Sequence, residues 1–212
     1  MQNKKRSLTK EKIKNAAIEL FNTKETISIT TNHIAKEAGI SSGNLYYHYK
    51  NKEEIIRDIY SDMSARFESF NSFEQILISE NPLKELSEMF DKYGDMFWDY
   101  RFLMRDSALL MALDPELKSM FAKNQEKRIL QIEGLLKYLI SQEILEGISA
   151  EQLNMRAKMH WFISAYWQIF ASTRGEVTKD SIKEAKEMIF ELHIFPFLSQ
   201  KGKGLMKEAK SH

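Results

Sequence analysis

Cysteine is absent from this 212-residue chain, which excludes a disulfide framework, a thiolate metal site and a cysteine nucleophile. Glycine and proline are scarce, at eight and three residues. Sheet-rich folds need tight turns at short intervals and draw more heavily on both, so their scarcity points to an all-α fold. Long apolar runs are missing as well. No stretch approaches the roughly 18 to 20 apolar residues of a membrane-spanning helix, and the opening MQNKKRSLTKEK is charged with no apolar segment behind it. The sequence therefore predicts a cytoplasmic chain with no membrane partner. An excess of one charge is lacking too: 31 Lys and Arg against 30 Asp and Glu leave a net charge of +1, a balance that by itself announces no nucleic-acid partner.

That balance conceals a division. Residues 1–60 hold 11 Lys and Arg against 7 acids, and residues 61–212 hold 20 against 23, so a basic part is joined to an acidic part. The first fourteen residues are more polarised still, with Lys4, Lys5, Arg6, Lys10, Lys12 and Lys14 facing the single acid Glu11. The expected organisation is a head over 1–56, a body over 57–200 and a frayed polar tail over 201–212.

Within the head, Thr9 reads as the N-cap of a first helix that buries Ile13, Ala16, Ala17, Leu20 and Phe21 on one face. A second short helix begins near Thr30, turns Ile34, Ala35 and Ala38 inward and stops at Gly39. The segment that follows, Ile40 to Tyr49, places only Ile40, Leu45 and Tyr49 at core spacing, so its other side chains look outward. Asn51 and Glu54 then form the cap of a fourth helix carrying Ile55, Ile56, Ile59, Tyr60 and Met63. Beyond residue 80 the pattern predicts helices over Pro82–Trp98, Tyr100–Leu113, Pro115 to about Ile144, Ser149–Ser172 and Thr178–Leu198, with Pro82 and Pro115 in first turns.

Two short helices joined by a tight turn, the second presenting small polar, aromatic and imidazole side chains, have the form of a helix-turn-helix reader. Ser42 and Asn44 are short enough to approach base edges, and Gly43 holds no side chain between backbone and DNA. Tyr46, Tyr47 and His48 suit phosphates, sugars or thymine methyl groups, and Lys52 adds a point charge. The run from Thr30 to Glu54, with its Ile-Ala-x-x-Ala-Gly-Ile-Ser turn, Gly-x-Leu-Tyr-x-His-aromatic helix and Lys-Glu-Glu start, closely resembles the DNA-binding domain of the TetR family of bacterial transcriptional regulators. The resemblance implies an all-helical homodimer of about nine helices per subunit, bound to a double-stranded DNA operator and most often acting as a repressor. It further implies that Thr31 and Asn32 hold phosphates, that Ser42, Gly43, Asn44 and Tyr47 lie against the major groove, and that Tyr46, His48 and Lys52 clamp the backbone. Asn44 occupies a position most often held by threonine in that family. Asparagine forms a bidentate pair with adenine, which points to a different operator preference.

Two aromatic clusters mark the body: Phe90, Tyr93, Phe97, Trp98, Tyr100 and Phe102, then Trp161, Phe162, Tyr166, Trp167 and Phe170. No single helix face accommodates either set. Plain core is one reading; the other is an apolar pocket for a small organic effector, lined by Phe97, Trp98, Phe102, Met104, Met111, His160, Trp161, Tyr166 and Trp167, with Leu109 and Met159 as further candidates. His160, Gln168, Arg101 and Arg105 are candidate polar groups for fixing a ligand. The Ser149–Ser172 and Thr178–Leu198 helices, the expected last two, are apolar enough to pair with a second copy as a four-helix bundle. No Gly-rich phosphate loop, His-x-x-x-His or Glu-x-x-His metal spacing or nucleophile elbow is present, so neither enzyme activity nor a cofactor or metal is expected. The remaining alternative is a DNA-binding or nucleoid-type protein with no small-molecule ligand.

Overall fold

The computed structural model describes residues 2–70 and 72–210, with side chains placed for 6–70 and 72–209. The Lys4 and Lys5 side chains and His212 lie outside the described residues. Twelve α-helices, more than the nine expected, follow one another among the described residues: α1 (Gln2–Thr23), α2 (Thr31–Glu37), α3 (Ser42–His48), α4 (Lys52–Ser69), α5 (Ser72–Ile78), α6 (Pro82–Asp99), α7 (Arg101–Arg105), α8 (Ser107–Leu113), α9 (Pro115–Ser141), α10 (Ala150–Ser172), α11 (Lys179–Ile189) and α12 (Gln200–Lys210). The fold is all-α; an isolated bridge between Leu145 and Leu198 is the β pairing among the described residues.

The head forms for local reasons. Ile13, Ala16, Ala17, Leu20 and Phe21 are buried as their spacing requires, and Ile34, Leu45 and Tyr49 close the same core. Helix α1 begins well before Thr9, which therefore lies within the helix and not at its cap. At the next starts, the Thr30 hydroxyl accepts from the His33 N–H while His33 Nδ1 accepts from the Thr30 N–H, and the Ser41 hydroxyl accepts from the Asn44 N–H at 3.2 Å. Between them Gly39 adopts φ +65°, the left-handed conformation a sharp helix end demands.

Three departures from the sequence reading occur in the body. The segment expected as one helix over Tyr100–Leu113 divides into α7 and α8 at Asp106, whose carboxylate is drawn to the Thr26 hydroxyl at 2.6 Å and to Arg105. The helix expected to reach Leu198 stops at Ile189 and passes through a π turn, Phe190–Ile194, and a 3₁₀ turn, Phe195–Phe197. Pro196, with no N–H to continue the ladder, keeps the helix from running on to Leu198. Finally, the expected polar tail is helical over Gln200–Lys210. It docks because Met206 is buried and because Gly202 lies so close to the Ile144 carbonyl oxygen that any Cβ there would overlap it.

Head and body are joined by more than the continuity of α4. Phe21 of α1 packs on Phe102 of α7 with ring centroids 5.0 Å apart. Asn22 at the end of α1 accepts from the Phe102 N–H at 3.1 Å and donates to the Asp99 carbonyl at 2.7 Å. Arg105 donates to the Phe21 and Lys24 carbonyls, both at 3.0 Å. On the far side of α4, Arg57 pairs with Asp114 at 2.7 Å.

Candidate DNA-reading face and body cavities

Helix α3 stands at the surface on the turn made by Gly39 to Ser41, with Leu45 as its buried anchor and Ser42, Gly43, Asn44, Tyr46 and Tyr47 exposed. The candidate reading groups are cross-linked to α2. Tyr46 Oη and Thr31 Oγ1 share a hydrogen bond of 2.9 Å, and Ser42 Oγ donates to Asn32 Oδ1 at 2.8 Å. The two helices thus present Thr31, Asn32, Ser42 and Tyr46 as one surface. Beyond its chain neighbours and the helix's own backbone, no described atom lies within 4 Å of where a Gly43 side chain would start, so the helix backbone there is open to a partner. Tyr47 is two-thirds exposed, with the Arg6 guanidinium 5.5 Å from its ring centre. His48 is half-buried; burial, then Arg6 and Lys10, lowers its pKa below the ordinary histidine value, favouring the neutral ring.

Two basic candidates turn inward. Lys52 Nζ donates to the Thr26 and Ile29 carbonyls, both at 2.9 Å, closing the loop before α2 where the sequence suggested a cation reaching for DNA. Burial lowers its pKa. Lys14 of the basic arm is also buried, between Glu11 at 2.9 Å and Asp62 of α4. Burial works against its charge, but the bonds to Asp62 and Glu11 prevail and raise its pKa. Lys10 faces Asp58 at 3.5 Å, and Asp58 in turn accepts from the buried Tyr49 hydroxyl at 2.6 Å. Part of the basic arm is therefore committed to holding α1 on α4.

Two small cavities lie side by side in the body, of about 70 and about 40 Å³. The larger sits between α6 and α10 and is closed by α11. Met89, Tyr93 and Phe97, four residues apart on α6, face His160, Ser164 and Gln168, four apart on α10. The smaller is bounded by Tyr60 and Ser64 of α4, Met104, Asn124 of α9 and Tyr166. Phe67, Phe97, Arg128, Trp161 and Ser164 are common to both. Of the expected pocket residues, Phe97, Met104, His160, Trp161 and Tyr166 are brought together here.

The others are not. Phe102 is fully buried at the head contact. Trp98 lies under Arg101, whose guanidinium is 4.2 Å from the indole ring centre. Trp167 donates to Glu184 at 3.1 Å and packs on Phe170, while Met111 is half-buried on α8, outside both cavities. Leu109 lines a cleft between head and body, Met159 an open groove on α10, and Arg105 is taken up by the head. Gln168 lines the larger cavity but is engaged by Ser181.

Tyr60, Ser64, Asn124 and Arg128 were missed by sequence reasoning. Arg128 carried a signal: it shares an apolar stripe of α9 with Ile132, Leu135 and Leu139, all buried, and a buried cation on such a stripe requires a partner. That partner is Glu68 of α4. The Phe67 ring lies 3.7 Å beneath the guanidinium.

A helix-turn-helix head joined through one long helix to an all-helical body defines a class of DNA-binding regulators. Residues 13–59 match the description "Bacterial regulatory proteins, tetR family", and residues 62–204 match TetR, "Bacterial transcriptional repressor". The chain belongs to the TetR family. It is 27% identical over 124 residues to the HTH-type transcriptional repressor KstR2 of Mycolicibacterium smegmatis, covering 56% of this chain and 59% of that protein. Over 48 residues it is 48% identical to IcaR, the negative transcriptional regulator of the biofilm operon in Staphylococcus epidermidis, covering 23% of this chain and 26% of the relative. The chain thus matches less than two thirds of the length of either. A TetR-family regulator of Marinobacter aquaeolei superposes with a TM-score of 0.80 at 25% identity, over 95% of this chain and 97% of the other.

Proposed function

We propose that this protein is a repressor that binds a pseudo-palindromic operator as a homodimer and releases it when a small apolar or aromatic molecule enters the body. The carrying observation is the cross-linked pair of α2 and α3. Its outward groups stand on a rigid surface with the open backbone of Gly43 at the start of α3, the arrangement a helix needs to enter a major groove. In this reading Ser42, Gly43, Asn44 and Tyr47 meet base edges. Thr31, Asn32, Tyr46 and His48 meet phosphates, joined by Arg6, while Lys52 holds the head together from within.

Dimerisation is assigned to α10 and α11, the two helices expected to pair, although α12 follows them. The supporting feature is the exposure of Met155, Met159, Phe162 and Phe170 on α10 and of Leu192 just beyond α11. Two heads held this way read successive major grooves about 34 Å apart. Both cavities are far below the roughly 300–1,000 Å³ typical of ligand pockets, so entry of an effector has to displace Phe97 or Trp161, which they share. Such a displacement bears on α4 through Phe67 and on α1 through α7, altering the separation of the heads. Selection of bound duplexes from a random pool, followed by footprinting, tests the reading: a palindromic protected site that an effector releases supports it. Binding with no sequence preference refutes it.

A further inference from the structure

We propose that the effector is an uncharged, elongated apolar molecule with one hydrogen-bond-accepting oxygen, and that this oxygen docks in the smaller cavity against the Tyr60 hydroxyl and the Trp161 indole N–H. The inference rests on the ligand-responsive reading above and adds the ligand's chemical class and its orientation.

The charged side chains at the cavity walls already have partners. Arg128 is buried with a partner on each of its three nitrogens: it pairs with Glu68 and donates to Gln131 at 2.7 Å and Asn124 at 3.2 Å. Lys186 pairs with Asp91 at 2.6 Å. His160 is held neutral, its pKa pushed down to about 3 by burial and, secondarily, by His193. A charged ligand would therefore compete with a carboxylate already seated on the cation or be buried without a partner, and an unpaired buried charge is costly.

Neutral dipoles tell the opposite story. Tyr60 is 2% exposed, and its hydroxyl approaches Ser64 and Asn124 without a well-formed hydrogen bond to either. Burial pushes its pKa up to about 12, so it remains a donor at neutral pH. The Trp161 indole N–H, a donor only, is buried without an acceptor. Both residues line the smaller cavity. A carbonyl or ether oxygen there satisfies both donors at once. The larger cavity, with Met89, Phe90, Ile182 and Ile189 in its wall, then receives the apolar remainder through the boundary formed by Phe97 and Trp161. This orientation sets the oxygen against α4, the helix that continues from the head.

The test uses the full-length protein at pH 7.5 with three probes of equal chain length, 2-octanone, octanoate and octylammonium, and with ethylbenzene as an apolar reference, all read by calorimetry and thermal shift. Expected is saturable binding of 2-octanone with the two ions at least about tenfold weaker, since each ion loses its hydration in a cavity whose charged groups already have partners. Tyr60→Phe should weaken 2-octanone about 2- to 10-fold while leaving ethylbenzene unchanged, as loss of one hydrogen bond predicts, and Trp161→Phe, which also enlarges the cavity, should weaken 2-octanone about 2- to 10-fold relative to ethylbenzene. Glu68 is shared with Lys127 at 2.8 Å, so a carboxylate that captures Arg128 is the rival. Octanoate binding as tightly as 2-octanone overturns the proposal, as does no binding of 2-octanone or an equal loss of ketone and ethylbenzene in both variants. Operator retention is measured in parallel: ketone binding with no operator site refutes the repressor reading alone, and an operator released only by ions refutes the present inference alone.

Discussion

Polar side chains are handled in opposite ways in the two parts of this molecule. In the head they hold one another in place at the surface: Thr31 with Tyr46 and Asn32 with Ser42. In the body several are buried without a hydrogen-bond partner, among them Tyr60, Trp161 and both ring nitrogens of His193. A surface that meets a rigid duplex gains from side chains fixed before binding. A core that admits a small molecule gains from cavities and dipoles whose partners the ligand supplies. His48, with Nδ1 buried and unpartnered, is the head's exception.

The largest expected effect falls where the two parts meet. Phe102→Ala removes a fully buried ring packed on Phe21, and urea denaturation should show a loss of about 3–5 kcal/mol; if a separate early transition of the head appears instead, the junction is looser than the packing indicates. Lys52→Met strips the donor from carbonyls before α2 and should cost about 1–3 kcal/mol, with little change in the salt dependence of operator binding. A drop of about one in that slope would restore Lys52 to the phosphate contacts.

Acidification probes the body. The folded-state pKa of His160 is about 3 and that of His193 is also lowered, by burial and then Arg156, whereas the unfolded values lie near 6.5. Below that value the unfolded chain binds more protons, so stability is fully present above about pH 6.5 and declines as pH falls toward the folded pKa, by about 1.4 kcal/mol per pH unit for His160, with His193 adding in the same direction. Thermal midpoints between pH 7.5 and 5 measure this, and His160→Phe should flatten the slope; an unchanged profile would mean that the acid sensitivity lies elsewhere. The smallest effect is Ser41→Ala, which removes the α3 cap and costs about 1 kcal/mol. It should weaken all operators alike, in contrast to Asn44→Ala, which should relax preference at one base pair.

Legibility from sequence followed the range of the forces involved. The helix start near Thr30, the cap at Asn51, the stop at Gly39 and the buried faces of α1 and α4 were readable because each depends on neighbours within a few residues. The divided helix at Asp106 was not, because the contact made there reaches Thr26, eighty positions earlier. Five of nine expected pocket residues line the cavities; Phe102, Trp98, Met111 and Trp167 do not, since aromatic density does not say which ring faces a void and which faces another helix. Arg128 was visible as a cation on an apolar stripe, whereas Tyr60 gave no sign beyond ordinary core spacing.

The sequence by itself determined an all-helical chain, a helix-turn-helix at 30–49 and a basic head on an acidic body, because helical periodicity, caps and net charge are properties of near neighbours and of sums. Tertiary structure alone decided that Lys52 and Lys14 turn inward, that 200–210 docks as a helix through Gly202, and that two cavities meet at Phe97 and Trp161. Those outcomes depend on which distant surfaces come within a few ångströms of one another, where burial and hydrogen-bond geometry select among side chains that the sequence leaves equivalent.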